Sequence, residues 1–477
     1  MLTSVLWVTI ARIILGLTPL ITLPALTSSF TPEWYGVWSQ ITITISFVAP
    51  LVGLGFDTAV IRYFATGFDN KENIRDFYSL AAFIGIFSLV LILLATIASN
   101  TFSRIMFSSS ELKLYAILTF IYVMAQGLYN YVISYFRVTQ SMRTYAMFDM
   151  ADGLLNALIM VIVPLKFHSV AGMVTALISN QCLFVLIFLI FIYRNIGFQG
   201  LSLANIAKYL KYGLPLVPNS LFLWLVNSSG RYFLTHFRGL ADVGVYAAGY
   251  TIANTMTLFF MPISIVLFPV ISKLWGEGKK EKVAAQITAA NRWYLILAVP
   301  GAFGLSYLAK PIVDLLSTKD FAGGADIIFV LTLANLLYGV YQINLYGALL
   351  IEKNLKLTGF FAMAGVLNLV LNFAMVPAFG LQGAAWAMLC SFLFLAAAVV
   401  RWAKSIINFH FDWRGTGKVL LSACAMVGAL FLSEKFVHLQ GISYLIVEIL
   451  LGVIVYGFCL LATRTVTKEE LLSFRRS

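Results

Sequence analysis

The chain has 477 residues and a formal net charge of +12, with 61% hydrophobic and only 11% charged residues. Globular chains carry about 25% charged residues, so the composition excludes an ordinary soluble protein and predicts an integral membrane protein. A basic excess can also indicate nucleic-acid binding, but here it falls mainly in the loops between apolar segments, where membrane topology accounts for it.

Apolar runs long enough to cross a bilayer recur along the whole chain. A helix needs roughly 18 to 25 residues to span the hydrocarbon core. We find fourteen such runs and therefore predict an all-α membrane protein with about fourteen transmembrane helices. They cover approximately residues 4–27, 36–61, 78–99, 114–136, 148–165, 170–193, 213–236, 244–272, 293–315, 325–351, 358–377, 381–400, 416–433 and 441–463.

The basic residues are distributed unevenly between the two sides of these spans. Lys and Arg accumulate in short cytoplasmic loops. With the N-terminus inside, the cytoplasmic loops and the C-terminal tail hold 23 basic residues and the outer loops hold 7. This asymmetry predicts a multi-pass protein of the cell (plasma or inner) membrane with both termini cytoplasmic.

Spans one to six are repeated in spans seven to twelve. YGVW at 35–38 matches VGVY at 243–246, a spacing of 208, and five residues in spans four and five recur after 212 positions. Because six is even, both copies enter the membrane from the same side, as in the parallel repeats of alternating-access transporters. The alternative is a chance match of small residues, which are common at helix contacts. The recurring pairs are Gly127 and Gly339, Tyr129 and Tyr341, Gly153 and Gly365, Leu155 and Leu367, and Asn156 and Asn368.

The repeat predicts the domain organisation. Residues 1–205 form an N-terminal six-helix lobe and residues 206–405 a C-terminal six-helix lobe, with a central cavity between the two repeats. Residues 406–477 add two further transmembrane helices and a short cytoplasmic tail.

Two stretches carry a family resemblance. YGLPLVPNSLFLWLVNSSGRYFLTHFRGLADVGVYAAGY and GLGFDTAVIRYFA, together with the repeat, resemble the polysaccharide flippase family of the multidrug, oligosaccharidyl-lipid and polysaccharide exporter superfamily. The resemblance covers nearly the whole chain and is weakest in the last two spans. It implies two six-helix lobes, a cationic cavity, and transfer of lipid-linked oligosaccharide from the cytoplasmic to the outer leaflet. Similar sequences often have an acidic residue just before the span-seven arginine, where this chain has Gly230.

Two arginines lie inside predicted spans, Arg12 in the first and Arg231 in the seventh. An arginine at mid-span costs about 2.5–3.5 kcal/mol on insertion scales, and intramembrane charges usually mark a substrate path. Guanidinium donates paired hydrogen bonds to phosphate and stays charged. We therefore predict that Arg12 and Arg231 line the cavity as two stations for the diphosphate. The alternative for Arg231 is snorkelling to the interface.

Other polar and aromatic residues give weaker signals. Asp57 and Arg62, at the end of span two, are a candidate gate or coupling pair, or an interfacial ion pair that caps a helix. Asp149 and Asp152 open span five and are interpreted mainly as caps. The residues that could line a wet cavity, or else serve helix packing, are Asn219, Asn227, Tyr129 and Tyr341.

The chain lacks the patterns of several enzyme and metal-site classes. Its four histidines are scattered, its four cysteines fall within spans, and no GxxxxGK[ST] loop occurs. We expect no enzyme, catalytic residue, metal site or cofactor, and the coupling cation, sodium or proton, stays open. The expected partners are a polyprenyl-phosphate-linked glycan, membrane lipids and other polysaccharide-assembly proteins, without nucleic acid.

Two rival functions are considered. A membrane glycosyltransferase or polymerase using the same lipid carrier needs an outer domain with catalytic acids, yet the longest outer connection, about residues 100–113, holds only Glu111. A cation-coupled multidrug or small-molecule exporter of the same superfamily needs a buried carboxylate in a lobe.

Overall fold

The computed structural model describes residues 2–64, 68, 70–350, 354–436, 439 and 441–465, and the side chains of all of these except 2–10, 216 and 354. Every regular element in these ranges is helical, which confirms the all-α fold class. The predicted cytoplasmic tail lies outside the described residues from residue 466 onward.

The chain divides into two compact units. The first comprises Met1–Ala247 and Phe361–Ala384, and the second comprises Ala248–Phe360 and Ala385–Ser477. The domain boundaries expected from the repeat, at residues 205 and 405, stay a prediction. The helices up to the end of the first segment are α1 Leu2–Ser29, α2 Pro32–Gly53, α3 Phe56–Tyr63, α4 Lys71–Ile97, α5 Ser99–Phe107, α6 Lys113–Val138, α7 Met142–Phe167, α8 Val170–Ile196, α9 Ile206–Gly213, α10 Val217–Phe237 and α11 Leu240–Ala253.

The later helices include one of unusual length. They are α12 Met261–Gly276, α13 Lys280–Tyr307, α14 Ala309–Leu316, α15 Ala325–Leu349, α16 Asn354–Ile407, α17 Trp413–Ser433 and α18 Gly441–Ala462. Inside α16, Gly380 leaves helical geometry at φ 53° and ψ −126°, so the helix is broken between the predicted eleventh and twelfth spans.

Within the described residues, eleven helical segments are long and apolar enough to cross a membrane, or twelve if α13 and α14, bent by 69°, form one span. The predicted count of fourteen is therefore not confirmed. Two predicted spans, 358–377 and 381–400, both lie in α16, which counts as one segment. A third predicted span, 213–236, corresponds to α10, which is not among the eleven segments. Backbone amides and carbonyls in hydrocarbon must be paired within the chain, which is why these apolar runs are helical.

The first unit is built around α6. This helix contacts α2, α4 and α8, and most of its side chains are buried. Its Tyr131 stacks on Phe77 of α4 with ring centroids 5.0 Å apart, and the Tyr131 hydroxyl donates to the Phe77 carbonyl at 2.9 Å. In the second unit, α13 contacts α15 and α17, and α17 contacts α18.

Helix α9 and Asn205 just before it are hydrogen-bonded to α4. The buried Asp76 carboxylate accepts hydrogen bonds from the Asn205 side-chain amide and the Tyr209 hydroxyl, both at 2.8 Å. Burial raises the pKa of the Tyr209 hydroxyl above its ordinary value. The other end of α9 packs closely against the turn after α2. A Cβ on Gly55 in that turn would lie only 2.6 Å from the Gly213 carbonyl oxygen, so the two backbones are in contact.

Candidate functional site

A polar cavity of about 310 Å³ lies inside the first unit. It is bounded by residues of α2, α3, α6, α7 and α10, and its wall carries one acidic and one basic side chain, Asp57 and Arg137. The other polar side chains on the wall are Thr58, Asn130, Tyr131, Tyr145 and Ser220. A wall of hydroxyl, amide and charged groups is suited to a polar head group rather than to an apolar ligand.

The break between α2 and α3 places Asp57 on this wall. Leu54 and Gly55 both adopt left-handed backbone angles, with φ 49° and 68°, which end α2 and turn the chain into α3. Asp57 then lies in the first turn of α3, where a carboxylate is favoured by the helix dipole.

Arg12 is hydrogen-bonded to Tyr145, one of the residues that line the cavity. Its guanidinium donates to the Tyr145 hydroxyl at 3.3 Å and lies 3.9 Å from the Asp149 carboxylate, and its side chain is 51% exposed. The charge of Arg12 is therefore partly balanced by Asp149, while about half of its side chain is accessible to a ligand. Its role as an anion station stays a prediction.

Asp57 and Arg62 do not form the interfacial ion pair considered from the sequence. Residues five apart on a helix point about 140° away from each other, which separates the two side chains. The Arg62 guanidinium instead lies over the Tyr212 ring, 4.5 Å from its centroid. A hydrogen bond with the Tyr212 side chain raises the pKa of Arg62. A gating or coupling role for either residue stays a prediction.

Arg231 lies buried in α10, with 8% of its surface exposed. Its guanidinium carbon is 6.0 Å from the centroid of the Tyr246 ring. The neighbouring backbone is fixed by Gln40 of α2, whose side-chain amide donates to the Thr235 hydroxyl, to the Arg231 carbonyl at 3.4 Å and to the Met106 carbonyl at 3.0 Å. Arg231 is not among the residues that line the cavity of about 310 Å³.

The remaining predicted lining residues are not among those that line this cavity. Asn227 donates to the Leu223 carbonyl at 2.9 Å within α10, and Asn219 is half-buried near the start of the same helix. Tyr129 is buried in α6 beside Phe188, with ring centroids 5.7 Å apart. Tyr341 is fully buried in α15 of the second unit. Their role in lining a cavity stays a prediction.

Asp149 and Asp152 are not helix caps, and that interpretation is wrong. Helix α7 begins at Met142, so Asp149 lies about two turns inside it and Asp152 lies deeper. The error follows from placing the start of span five by hydropathy, because the polar first turns of the helix were assigned to the preceding loop.

Asp152 belongs instead to a polar network that the sequence analysis missed. Its carboxylate accepts hydrogen bonds from the side-chain amides of Asn180 at 2.9 Å, Asn156 at 3.2 Å and Gln181 at 3.3 Å. Gln181 also donates to Gln126 at 3.3 Å, and Gln126 donates to Asn130 on the cavity wall at 3.1 Å. Five amide side chains within apolar runs are the signal that could have identified the network.

A second buried carboxylate lies in the second unit. Glu448 of α18 is fully buried, and the Ser433 hydroxyl oxygen lies 2.8 and 2.9 Å from its two carboxylate oxygens. This contact joins α18 to the end of α17.

The described fold is that of a multi-pass helical membrane protein. It is similar to the lipid II flippase MurJ in an inward closed conformation, with a TM-score of 0.79 at 15% identity, covering 95% of this chain and 97% of that one. An inward-facing MATE multidrug transporter of the MOP superfamily is also similar, with a TM-score of 0.69 at 16% identity over 84% of this chain and 98% of that one. At these identities the likeness shows the fold alone.

The sequence assigns the family. The model of the "Polysaccharide biosynthesis protein" family matches residues 1–275, more than half of the chain, and this protein belongs to that family. The resemblance inferred from the two quoted stretches is thereby confirmed.

Curated relatives agree with the family. A probable low-salt glycan biosynthesis flippase, Agl15 of Haloferax volcanii, is 24% identical over 54% of this chain and 53% of its own length. A putative O-antigen transporter of Escherichia coli is 23% identical over 79% of this chain and 90% of its own length. The chain spans about half the length of the first relatives it matches.

Proposed function

We propose that this protein flips a polyprenyl-phosphate- or polyprenyl-diphosphate-linked oligosaccharide from the cytoplasmic to the outer leaflet, for the biosynthesis of cell-surface glycans. It acts by alternating access, as a transporter and not as an enzyme. The observation that carries the proposal is the polar cavity of about 310 Å³ with Arg137 on its wall, in a chain of flippase-like fold.

The cavity wall has the chemistry to hold a phosphorylated sugar. Arg137 offers a planar pair of donors to phosphate oxygens, and Arg12 supplies a second guanidinium through its contact with Tyr145. Asn130 and Ser220 offer the hydrogen bonds that sugar hydroxyls require. The polyprenyl chain stays in the lipid, because moving it into a polar cavity would expose apolar surface to water.

Arg231 is a later station on the same path. It is buried in the present conformation, so it meets the phosphate only when the helices around it have moved. A buried guanidinium is costly in the membrane, and a substrate anion that reaches it offsets part of that cost. The flipping cycle thus uses Arg12 and Arg137 before Arg231.

The protein resides in the cell membrane with both termini in the cytoplasm, as the 23 to 7 distribution of basic loop residues supports. The cavity lies where α2 and α6 end and α7 begins, which this orientation places on the cytoplasmic side. Its partners are the lipid-linked glycan, the surrounding lipids and the proteins that assemble the polysaccharide.

The test is leaflet-resolved accessibility of a fluorescent lipid-linked oligosaccharide in proteoliposomes. Purified protein should move the lipid to the opposite leaflet at a rate proportional to the amount of inserted protein. Protein with Arg137→Ala serves as the inactive comparison. Equal rates in liposomes with and without protein would reject the proposal.

A cation-coupled exporter of small molecules is the second candidate, favoured by one observation. Such an exporter needs a buried carboxylate in a lobe, and Asp152 is 6% exposed within the first unit. The same proteoliposomes decide between the two functions. Ion-driven uptake of cationic dyes without movement of lipid-linked oligosaccharide would favour the exporter.

A further inference from the structure

A basic cleft lies beside the turn between α12 and α13, within the second unit. It has a volume of about 530 Å³ and is bounded by one face of α12 and by the first two turns of α13. Its wall carries three lysines against one glutamate. The other lining residues are Val270, Leu274, Ala285 and Gln286, so most of the uncharged wall is apolar.

The backbone of the turn brings the lysines of two helices together. Gly278 adopts a left-handed φ of 73°, which glycine tolerates readily. The Lys279 amide donates to the Leu274 carbonyl at 2.9 Å, which closes the last turn of α12 and lets α13 pack back against it. Lys273 of α12 and Lys282 of α13 therefore line the same cleft.

Two of the three lysine charges are not balanced inside the cleft. Lys279 donates to the Glu277 carboxylate at 2.6 Å, and this hydrogen bond lowers the pKa of Glu277. Among the described residues, Lys273 and Lys282 have no carboxylate within 4.0 Å. The cleft also lies at the N-terminal end of α13, a helix of 28 residues whose dipole favours an anion there. The cleft therefore attracts negative charge.

The same cleft opens onto a surface that faces lipid. The apolar segment that contains α12 ends at Gly276, so the cleft lies where this segment leaves the hydrocarbon. Val270 on the cleft wall and Val266, one turn further along α12, are 38% and 59% exposed. The Lys280 ammonium lies 5.4 Å from the centroid of the Trp275 ring, and tryptophan is enriched at the membrane interface. An occupant thus meets positive charge at one end and open apolar surface at the other.

From these observations, we propose that this cleft binds the phosphate head group of an anionic membrane phospholipid. Lysine ammonium groups donate charge-assisted hydrogen bonds to phosphate, and basic clusters beside a membrane helix attract anionic lipids. An acyl chain of the same molecule covers Val270 and Val266 and so removes apolar surface from water. A soluble phosphate or an acidic peptide would use only the charged half of the cleft, whereas a phospholipid uses both halves.

The test measures phospholipid binding to the purified full chain in detergent, so it does not depend on the flipping assay. Thermal unfolding of delipidated protein is followed as phosphatidylglycerol, or zwitterionic phosphatidylcholine with the same acyl chains, is added. A ligand that binds only the folded state raises the unfolding midpoint with concentration. Wild type should show a saturating rise with phosphatidylglycerol that phosphatidylcholine does not give, and salt should weaken it.

Matched variants assign this response to the cleft. Lys273→Gln combined with Lys282→Gln should raise the half-saturating phosphatidylglycerol concentration at least about tenfold, because each lysine near an anionic lipid contributes about a fivefold gain in binding. Lys310→Gln combined with Lys319→Gln removes the same charge beyond the far end of α13, roughly 42 Å away along the helix, and should leave the concentration unchanged.

A third variant separates a defined site from diffuse attraction to a basic surface. Ala285→Trp keeps every lysine but fills the cleft, at a position that is exposed to solvent. It should also raise the half-saturating concentration of phosphatidylglycerol. This variant tests the site even if the double lysine variant of the cleft does not fold.

Three results would overturn the proposal. They are an equal rise with phosphatidylglycerol and phosphatidylcholine, an equal loss of the response in the two double lysine variants, and an unchanged response in Ala285→Trp. An equal rise with inorganic phosphate or with a polyglutamate peptide, at matched ionic strength, would assign the cleft to a soluble anion and reject the phospholipid. Flipping can fail in the proteoliposome assay while phosphatidylglycerol still binds, so the two proposals are tested separately.

Discussion

The backbones of Gly36 in α2 and Gly244 in α11 pack directly against each other. A Cβ on Gly36 would lie 3.2 Å from the Gly244 amide nitrogen, and a Cβ on Gly244 would lie 3.1 Å from that of Gly36. These are the glycines of YGVW and VGVY, the two matching stretches of the repeat. Equivalent positions of the two copies therefore meet at one close helix contact.

Gly36→Ala should loosen this contact. The added methyl group would overlap backbone atoms of Leu240, which cannot move aside as a side chain can. Overpacking of this kind costs about 1–3 kcal/mol, so the thermal unfolding midpoint should fall. Gly85→Ala is the matched control, because a Cβ there meets nothing within 4 Å. Equal midpoints for the two variants would contradict the expected strain.

Arg137→Ala should reduce flipping sharply, because it removes the guanidinium from the cavity wall. Insertion and stability should be unchanged, because Arg137 is exposed and makes no ion pair within the described residues. Arg137→Lys keeps the charge without the planar pair of donors and should retain part of the rate. Arg194→Ala removes an exposed arginine in the last turn of α8 and serves as the control. The measurement is the flipping rate per inserted molecule, and equal losses in Arg137→Ala and Arg194→Ala would point to a general charge effect.

Arg231→Ala should leave insertion intact or improve it, since a costly intramembrane charge is removed, but flipping should fall. Arg231→Lys should be intermediate if the residue receives phosphate. Removing Arg12 as well need not add to the loss, because both residues serve one path. A snorkelling arginine would instead be replaced fully by lysine, so equal flipping by wild type, Arg231→Lys and Arg231→Ala would exclude Arg231 from the site.

Tyr209→Phe should destabilise the attachment of α9 to α4. The buried Asp76 carboxylate would lose one of its two donors at 2.8 Å, at a cost of about 1–3 kcal/mol. The fall should appear in thermal unfolding and in faster proteolysis of residues 197–213. Tyr212→Phe, on the same helix but against Arg62, should leave that proteolysis rate unchanged; equal rates in both variants would argue against the Asp76 contact.

The orientation can be checked with single cysteines in a variant whose four native cysteines are replaced. A cysteine at Lys280, in the basic segment before α13, should be protected from impermeant thiol reagents in intact cells, and one at Thr318 should react. The reason is the accumulation of basic residues on the cytoplasmic side. Reaction at position 280 with protection at 318 would reverse the topology.

The sequence predicted the fold class and the family well, because apolar runs and short matching stretches can be recognised locally along the chain. Apolar runs such as 170–193 must be helical in hydrocarbon, and the structure gives α8 over Val170–Ile196. The start of α7 was misplaced because its first turns are polar, which hydropathy cannot distinguish from a loop. The same limit led to Asp149 and Asp152 being interpreted as caps.

What the sequence by itself determined is therefore the membrane environment, the helical class, the internal repeat and the family, each of which depends on composition or on spacing. Only the tertiary structure decided which polar groups meet. Arg62 and Asp57 are close in sequence but point apart on α3, whereas Asp152 and Asn180 are 28 residues apart and lie within 2.9 Å. The physical reason is that side-chain direction depends on where each helix begins and how it is rotated against its neighbours, and hydropathy fixes neither.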